Sequence, residues 1–201
     1  MSALPNKKLT GAEYLEIERK AAFRSEFYNG EMFAMAGASP DHCDVKENLI
    51  GELKSRFKGG PCRTRSSDQR VLVSARGLYT YPDIVVICKP PEYAFHDKDT
   101  LLNPTALIEV LSDSTEKYDR TTKLKMYQQI ESLQEYIMVA QDRPWCERIA
   151  READGTWSRS VFAELTGELV FVSVPVRISL ADVYAGVTFP EILPPFTDNR
   201  F

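Results

Sequence analysis

The sequence predicts an α/β (α+β) fold, a mixed β-sheet flanked by helices, with an extra C-terminal β-hairpin and short helix. Three observations lead there. Helical periodicity and cap residues recur between strand-sized apolar runs. The runs at 81–88, 107–111 and 135–140 are rich in Val, Ile and Leu, as in buried strands. Late in the chain, 161–162 and 168–174 read as the two arms of a hairpin.

The elements follow in order. Thr10 caps the first helix and Glu13 completes a capping box, with Tyr14, Leu15 and Ile17 as its apolar side. Asn29-Gly30 between short apolar runs is a two-residue hairpin signal. Glu26 then falls on the first strand of the hairpin, and Glu31 starts the second. Ser39 caps the next helix with Pro40 at its first position. Val45, Leu49, Leu53 and Phe57 recur every four residues along one face, and Gly59-Gly60 ends the helix. Strands at 62–67 and 69–73, a turn at Arg76-Gly77 and the buried strand 81–88 come next, stopped by Lys89-Pro90-Pro91. After strand 107–111, Ser114 or Asp119 caps a helix running to about Ser132. Strand 135–140 and the late hairpin precede a terminal helix at 178–184, capped by Ser179. Residues 190–201 read as an extended Pro-rich tail on a single domain, 1–201.

Composition narrows the function classes. At 43% hydrophobic and 27% charged, the 201 residues are ordinary for a soluble globular chain. The balance of 25 Lys+Arg against 29 Asp+Glu, net −4, excludes a strongly basic coat or tail, though not a local basic face. Two His exclude a His-rich metal centre. Four scattered Cys without a C-x-x-C pair predict free thiols in a reducing cytosol rather than a zinc site or disulfide scaffold. The first ten residues lack the apolar core of a secretory signal, and no apolar run approaches the ~18 residues that span a bilayer. A cytoplasmic protein without membrane contact is expected.

The informative oddity is where the acids fall. Asp83 opens the apolar strand 81–88, and Glu109 lies inside the apolar strand 107–111. A carboxylate in a buried strand costs several kcal/mol unless it is paired or binds a cation. Two such strands, each with one acid, invite a shared Mg²⁺, which takes one or two carboxylates plus waters and phosphates. Glu26 supplies a possible third acid. The structural alternatives are a turn-capping Asp83, a Glu109 buried against Lys or Arg, and a surface pair for Glu26. On the helix after strand 107–111, steps of roughly 100° per residue set Lys123 in the arc of Tyr127 and Ile130, with Lys125 opposite. Lys123 then either snorkels past the edge or meets the carboxylates.

These residues resemble the Uma2 family, a branch of the PD-(D/E)xK nuclease superfamily. The resemblance runs from about residue 10 to 187. It rests on SEFYNGEMFAMAGASPDH (25–42), TYPDIVVI (80–87), IEVLSDST (108–115) and DRTTKLKMYQQIESLQEYIMV (119–139). It implies a restriction-endonuclease-like mixed sheet, with Asp83 and Glu109 as metal ligands and Glu26 as an additional catalytic acid. The superfamily usually carries E-x-K on the second strand. Here that stretch is Glu109-Val110-Leu111, so the strand Lys is missing and Lys123 on the following helix matches its replacement. Family members often have a His at the position of His42. In this chain it either packs against the sheet or stands near the metal or phosphate.

The expected activity is Mg²⁺- or Mn²⁺-dependent hydrolysis of DNA phosphodiesters. The chain would act as a homodimer, as small nuclease domains often do. Residues 46–76 hold eight basic residues against three acids, and Arg63, Arg65 and Arg70 are the candidates for nucleic-acid contact. The alternative is a non-catalytic nucleic-acid-binding or scaffold protein that keeps the fold.

Overall fold

The computed structural model describes residues 8–74, 76–94 and 98–189. The tail read at 190–201 lies outside the described residues. Thr10 accepts the Glu13 N–H while the Glu13 carboxylate accepts from the Thr10 backbone at 2.8 Å, which starts α1 (Gly11–Glu18). Left-handed Asn29 and Gly30 turn β1 (Ser25–Tyr28) into β2 (Glu31–Ala34). The Ser39 side chain caps α2 (Pro40–Phe57). Then follow β3 (Arg63–Ser66), β4 (Arg70–Val73), β5 (Leu78–Thr80), β6 (Ile84–Ile87), β7 (Thr100–Leu101) and β8 (Ala106–Leu111). A short α3 (Glu116–Tyr118), a π-helical turn (Asp119–Lys123) and α4 (Leu124–Tyr127) lead to β9 (Glu135–Ala140). The chain continues through β10 (Trp145–Arg151), β11 (Trp157–Ala163), β12 (Glu168–Val170), β13 (Arg177–Ser179) and α5 (Leu180–Val183).

Two sheets carry the domain. One runs β2-β1-β5-β4-β7, and the other β11-β10-β9-β8-β6-β3. Only the β8–β9 pair is parallel in the larger sheet, because the α3–α4 segment crosses over between them. The strict two-residue period of its central strands sorts their side chains into two cores. Ile84, Val86, Ile108, Val110, Ile137 and Val139 face α2, α5 and the β12–β13 hairpin. Val85, Ile87, Leu107, Leu111, Tyr136 and Met138 face the smaller sheet and α4. Glu109 shares parity with Leu107 and Leu111, so the pleat itself sends its carboxylate into the layer between the sheets.

Four expectations need correction. The helix expected to reach Ser132 ends at Tyr127. Beyond it, the Arg151 guanidinium takes the carbonyls of Ile130 and Leu133, each at 2.9 Å, and so replaces further helical bonds. The single late hairpin is two: β11 pairs with β10, which sequence pattern missed, and β12 pairs with β13. Asp83 precedes strand β6 rather than lying in it. Finally, Cys62 and Cys88 are not free thiols. The β3–β6 register brings them together across the strand ends, and a disulfide joins them, leaving Cys43 and Cys146 as thiols. Among the described residues, no helix is long and apolar enough to cross a membrane.

Leu49 on α2 is fully buried against the larger sheet. Leu49→Ala should lower the unfolding free energy by about 3 kcal/mol in chemical denaturation. Lys125→Ala, on an exposed helical position, should change it by less than about 0.5 kcal/mol.

Candidate active site

The acids meet at the seam of the two sheets. The β6–β8 register pairs Ile84 with Ile108, which sets Asp83 opposite Glu109. The Asp83 N–H donates to Glu109 Oε2 at 3.3 Å, and the Val110 N–H donates to Asp83 Oδ2 at 2.9 Å. A backbone N–H and its own carboxylate lie within about 4 Å, so the two carboxyl groups stand within about 7 Å. Glu26 arrives from the other sheet. It shares a strand face with Tyr28, which packs into the core between the sheets. The β1–β5 pairing sets Glu26 beside Thr80, whose hydroxyl donates to Glu26 Oε1.

Lys123 closes the constellation. Its Nζ lies 2.9 Å from Glu109 Oε1, 3.1 Å from Glu26 Oε1 and 3.3 Å from Asp119 Oδ1. Only 8% of its side chain is exposed. The Tyr127 hydroxyl adds a 2.8 Å bond to Glu109 Oε1. On the outer side, His42 Nε2 sits 3.0 Å from Asp83 Oδ1, an approach fixed by its place in the first turn of α2.

Sequence reasoning missed two members. Asp119 does not cap a helix; Thr115 precedes α3, and Asp119 turns inward onto Lys123. Tyr127 was read only as marking the inward arc of the helix. The signal was available, since residues 119, 123 and 127 are four apart and share one helical face.

Of the candidate nucleic-acid contacts, Arg63 and Arg65 are exposed on β3, the edge strand whose Ser66 pairs with Ile84 next to Asp83. The expectation for Arg70 is overturned. It is 3% exposed and holds Asp99 at 2.6 Å, Thr100 at 2.9 Å and Tyr81 at 2.8 Å. Its charge serves the fold. Arg56 is likewise committed, to Glu52 and to the Arg177 carbonyl.

The electrostatics separate the two central acids. Burial pushes Glu109 up to about 8, with Lys123 opposing and Asp119 and Asp83 adding to the rise. Burial also acts on Asp83, but the His42 contact and the Val110 N–H outweigh it and hold that carboxyl below the usual range. Burial lowers Lys123, yet the surrounding acids Glu109, Glu26 and Asp119 more than offset it, so the ammonium stays protonated. Burial raises Asp119 against the pull of Lys123.

The donor set fits a hard divalent cation. Four carboxylates (Glu26, Asp83, Glu109, Asp119) converge with one Lys, leaving negative charge to be offset. Each carboxylate offers about four lone-pair sites, so Asp83 and Glu109 retain acceptor capacity beyond their present bonds. Among the described residues, no group of three or more His, Cys, Asp and Glu is arranged to hold a metal ion. A cation at this place would rest on Asp83 and Glu109 and take its remaining ligands from water and substrate oxygens.

A testable consequence concerns pH. Glu109 sits near 8 when folded against an ordinary 4.5, so the folded state holds the extra proton between those values. In metal-free buffer, stability should therefore fall as pH rises from about 4.5 to 8. Glu109→Gln removes that term. Relative to wild type, its unfolding free energy should climb with pH over this window, by at most about 1.4 kcal/mol per unit. Denaturant titrations at several pH values check this, and a flat difference would contradict it.

Comparison with known proteins identifies the family and the fold. The Uma2 family model, described as "Putative restriction endonuclease", matches residues 12–181. The uncharacterized protein sll1609 of Synechocystis sp. (strain ATCC 27184 / PCC 6803 / Kazusa) is 33% identical over 84% of this chain and 93% of its own length. A second uncharacterized protein from the same strain, slr1290, is 28% identical over 92% of this chain and 96% of its own. A crystal structure described as "a putative nuclease belonging to DUF820 from Anabaena variabilis ATCC 29413" superposes with a TM-score of 0.70, at 19% identity. It covers 88% of this chain and 97% of that one, and so shares the fold. The chain belongs to the Uma2 family of restriction-endonuclease-like proteins.

Proposed function

We propose that the protein is a metal-dependent endonuclease that hydrolyses phosphodiester bonds of DNA. The observation that carries this reading is the buried Lys123 ammonium among Glu26, Glu109 and Asp119, with Asp83 bonded to the same Glu109. Asp83 and Glu109 would hold the cation. Bound there, Mg²⁺ or Mn²⁺ supplies Lewis-acid polarisation of the scissile phosphate and lowers the pKa of a water.

The chain's own residues do the rest. Lys123 donates toward the charge that develops on the phosphate or orients the attacking water. Glu26 and Asp119 keep it protonated and aimed. His42 holds Asp83 in place by its 3.0 Å contact. Arg63 and Arg65, exposed on the neighbouring edge strand, would track the phosphate backbone. Action as a homodimer in the cytoplasm belongs to the same proposal.

The decisive experiment is nicking of supercoiled DNA with Mg²⁺ or Mn²⁺. Asp83→Ala and Lys123→Ala should each lose about a hundredfold or more in rate, while Lys125→Ala keeps wild-type activity. Circular dichroism separates lost chemistry from lost fold, because removing Lys123 leaves three acids unpaired. Unchanged cleavage in both variants would overturn the assignment. Absence of cleavage by the wild type on any nucleic acid would favour the non-catalytic binding protein.

A further inference from the structure

A concavity separate from the acid cluster opens between the end of α1 and the smaller sheet. Its volume is about 540 Å³, the size of a small-molecule site. Glu18, Arg70 and Tyr81 form its buried part, and Phe23, Arg24 and Asp68 line it farther out. Glu18 is only 7% exposed. Its Oε1 accepts the Ser25 N–H and the Tyr81 hydroxyl, each at 2.9 Å. Its Oε2 is buried and accepts nothing. A buried carboxylate oxygen without a donor costs free energy and marks the place where a donor is missing.

The surroundings limit what that donor can be. Arg70 cannot be spared, because it already holds Tyr81, Asp99 and Thr100. Arg24 is paired with Asp68 and lies over the Tyr81 ring, 5.7 Å from its centroid. A phosphate would be repelled by Glu18. A bare metal ion would meet three guanidiniums there, with Asp68 and Asp99 already engaged by arginines. Phe23, by contrast, stands 66% exposed, a large apolar ring facing water at the same pocket. One buried acceptor for an N–H and one exposed aromatic face are the two things an unpaired base requires.

Two chain segments that line the pocket run on to the proposed catalytic acids. Tyr81 is followed by Pro82 and Asp83, and Phe23-Arg24 lead into β1 and Glu26.

We propose that this pocket takes an unpaired amino-bearing nucleobase (cytosine, adenine or guanine), with Glu18 Oε2 accepting from the exocyclic amine and Phe23 stacking on the ring. Thymine is disfavoured, since its one N–H is flanked by two carbonyls that would oppose the carboxylate. The identity of the bound strand rests on the nuclease reading above; the pocket chemistry does not.

The test is binding of short labelled single strands, oligodeoxycytidine against oligodeoxythymidine, to the full chain in EDTA by fluorescence anisotropy. The wild type should bind the cytidine strand about tenfold tighter. Glu18→Gln should abolish that preference, because an amide can also donate to the thymine carbonyl. Phe23→Ala, an exposed change that leaves the fold intact, should weaken both strands about tenfold. A purely structural role for Glu18 would lower both affinities alike and keep their ratio, which would overturn the proposal. Equal binding of the two strands, insensitivity to Phe23→Ala, or binding of duplex alone would overturn it as well. The two readings fail separately. Selective binding without cleavage in Mg²⁺ supports the pocket and removes the nuclease. Cleavage without base preference removes the pocket alone.

Discussion

The structure depends on burying one ammonium group. Lys123 sits almost without solvent, and a desolvated charge is tolerable only when its partners are close and several. Those partners arrive from three directions: Glu26 from the smaller sheet, Glu109 from the larger, and Asp119 from the helical crossover. The one contact set therefore couples the docking of both sheets to the placement of the segment between β8 and β9. The π turn is part of that solution, since it carries Asp119 at its start and Lys123 at its end. Arg120, between them, reaches the buried Glu147 on β10 at 3.1 Å, which pins the turn to the sheet. Tyr127 and Thr80 supply neutral donors to the same acids, so the negative charge is spread over hydroxyls as well as the ammonium.

Asp83 and Glu109 are neighbours with opposite tendencies. Asp83 stands at a strand entrance, where a backbone N–H and His42 favour its charge. Glu109 lies inside a strand covered on both faces, among other acids, and resists ionisation. On the proposed chemistry, a cation drawn to Asp83 would lower the cost of ionising Glu109, and its uptake would release a proton from this pair.

Much of this was legible in the sequence, and the boundary has a physical meaning. The Thr10 and Ser39 caps, the Asn29-Gly30 turn and the existence of the doubly buried strands depend on neighbours a few residues away, and these stand, with the strand read at 81–88 shortened to Ile84–Ile87. Glu109 was conspicuous because a charge inside LIEVL has no local explanation. Arg70 was misread because its partner Asp99 lies in a distant loop, and nothing local to β4 distinguishes a paired Arg from a free one. β10 escaped notice for a related reason. Its Glu147 and Arg148 look like loop polarity until Arg120 and Arg159 meet the first, and the Val170 carbonyl and the Ser160 hydroxyl meet the second. The Cys62–Cys88 bond needed strand register, which spacing along the chain does not contain.

The link Tyr81-Pro82-Asp83 leaves the smaller sheet after Thr80 and enters the larger at Ile84. Asp83 and Glu109 thus belong to one side of the seam, and Glu26 to the other. A chain that has completed only one sheet, during synthesis or after partial unfolding, holds only a fraction of the constellation. On the proposed chemistry, such a fragment cannot cut. The cell would be exposed to the activity only from molecules whose folding is finished, a safeguard that comes from topology and requires no inhibitor.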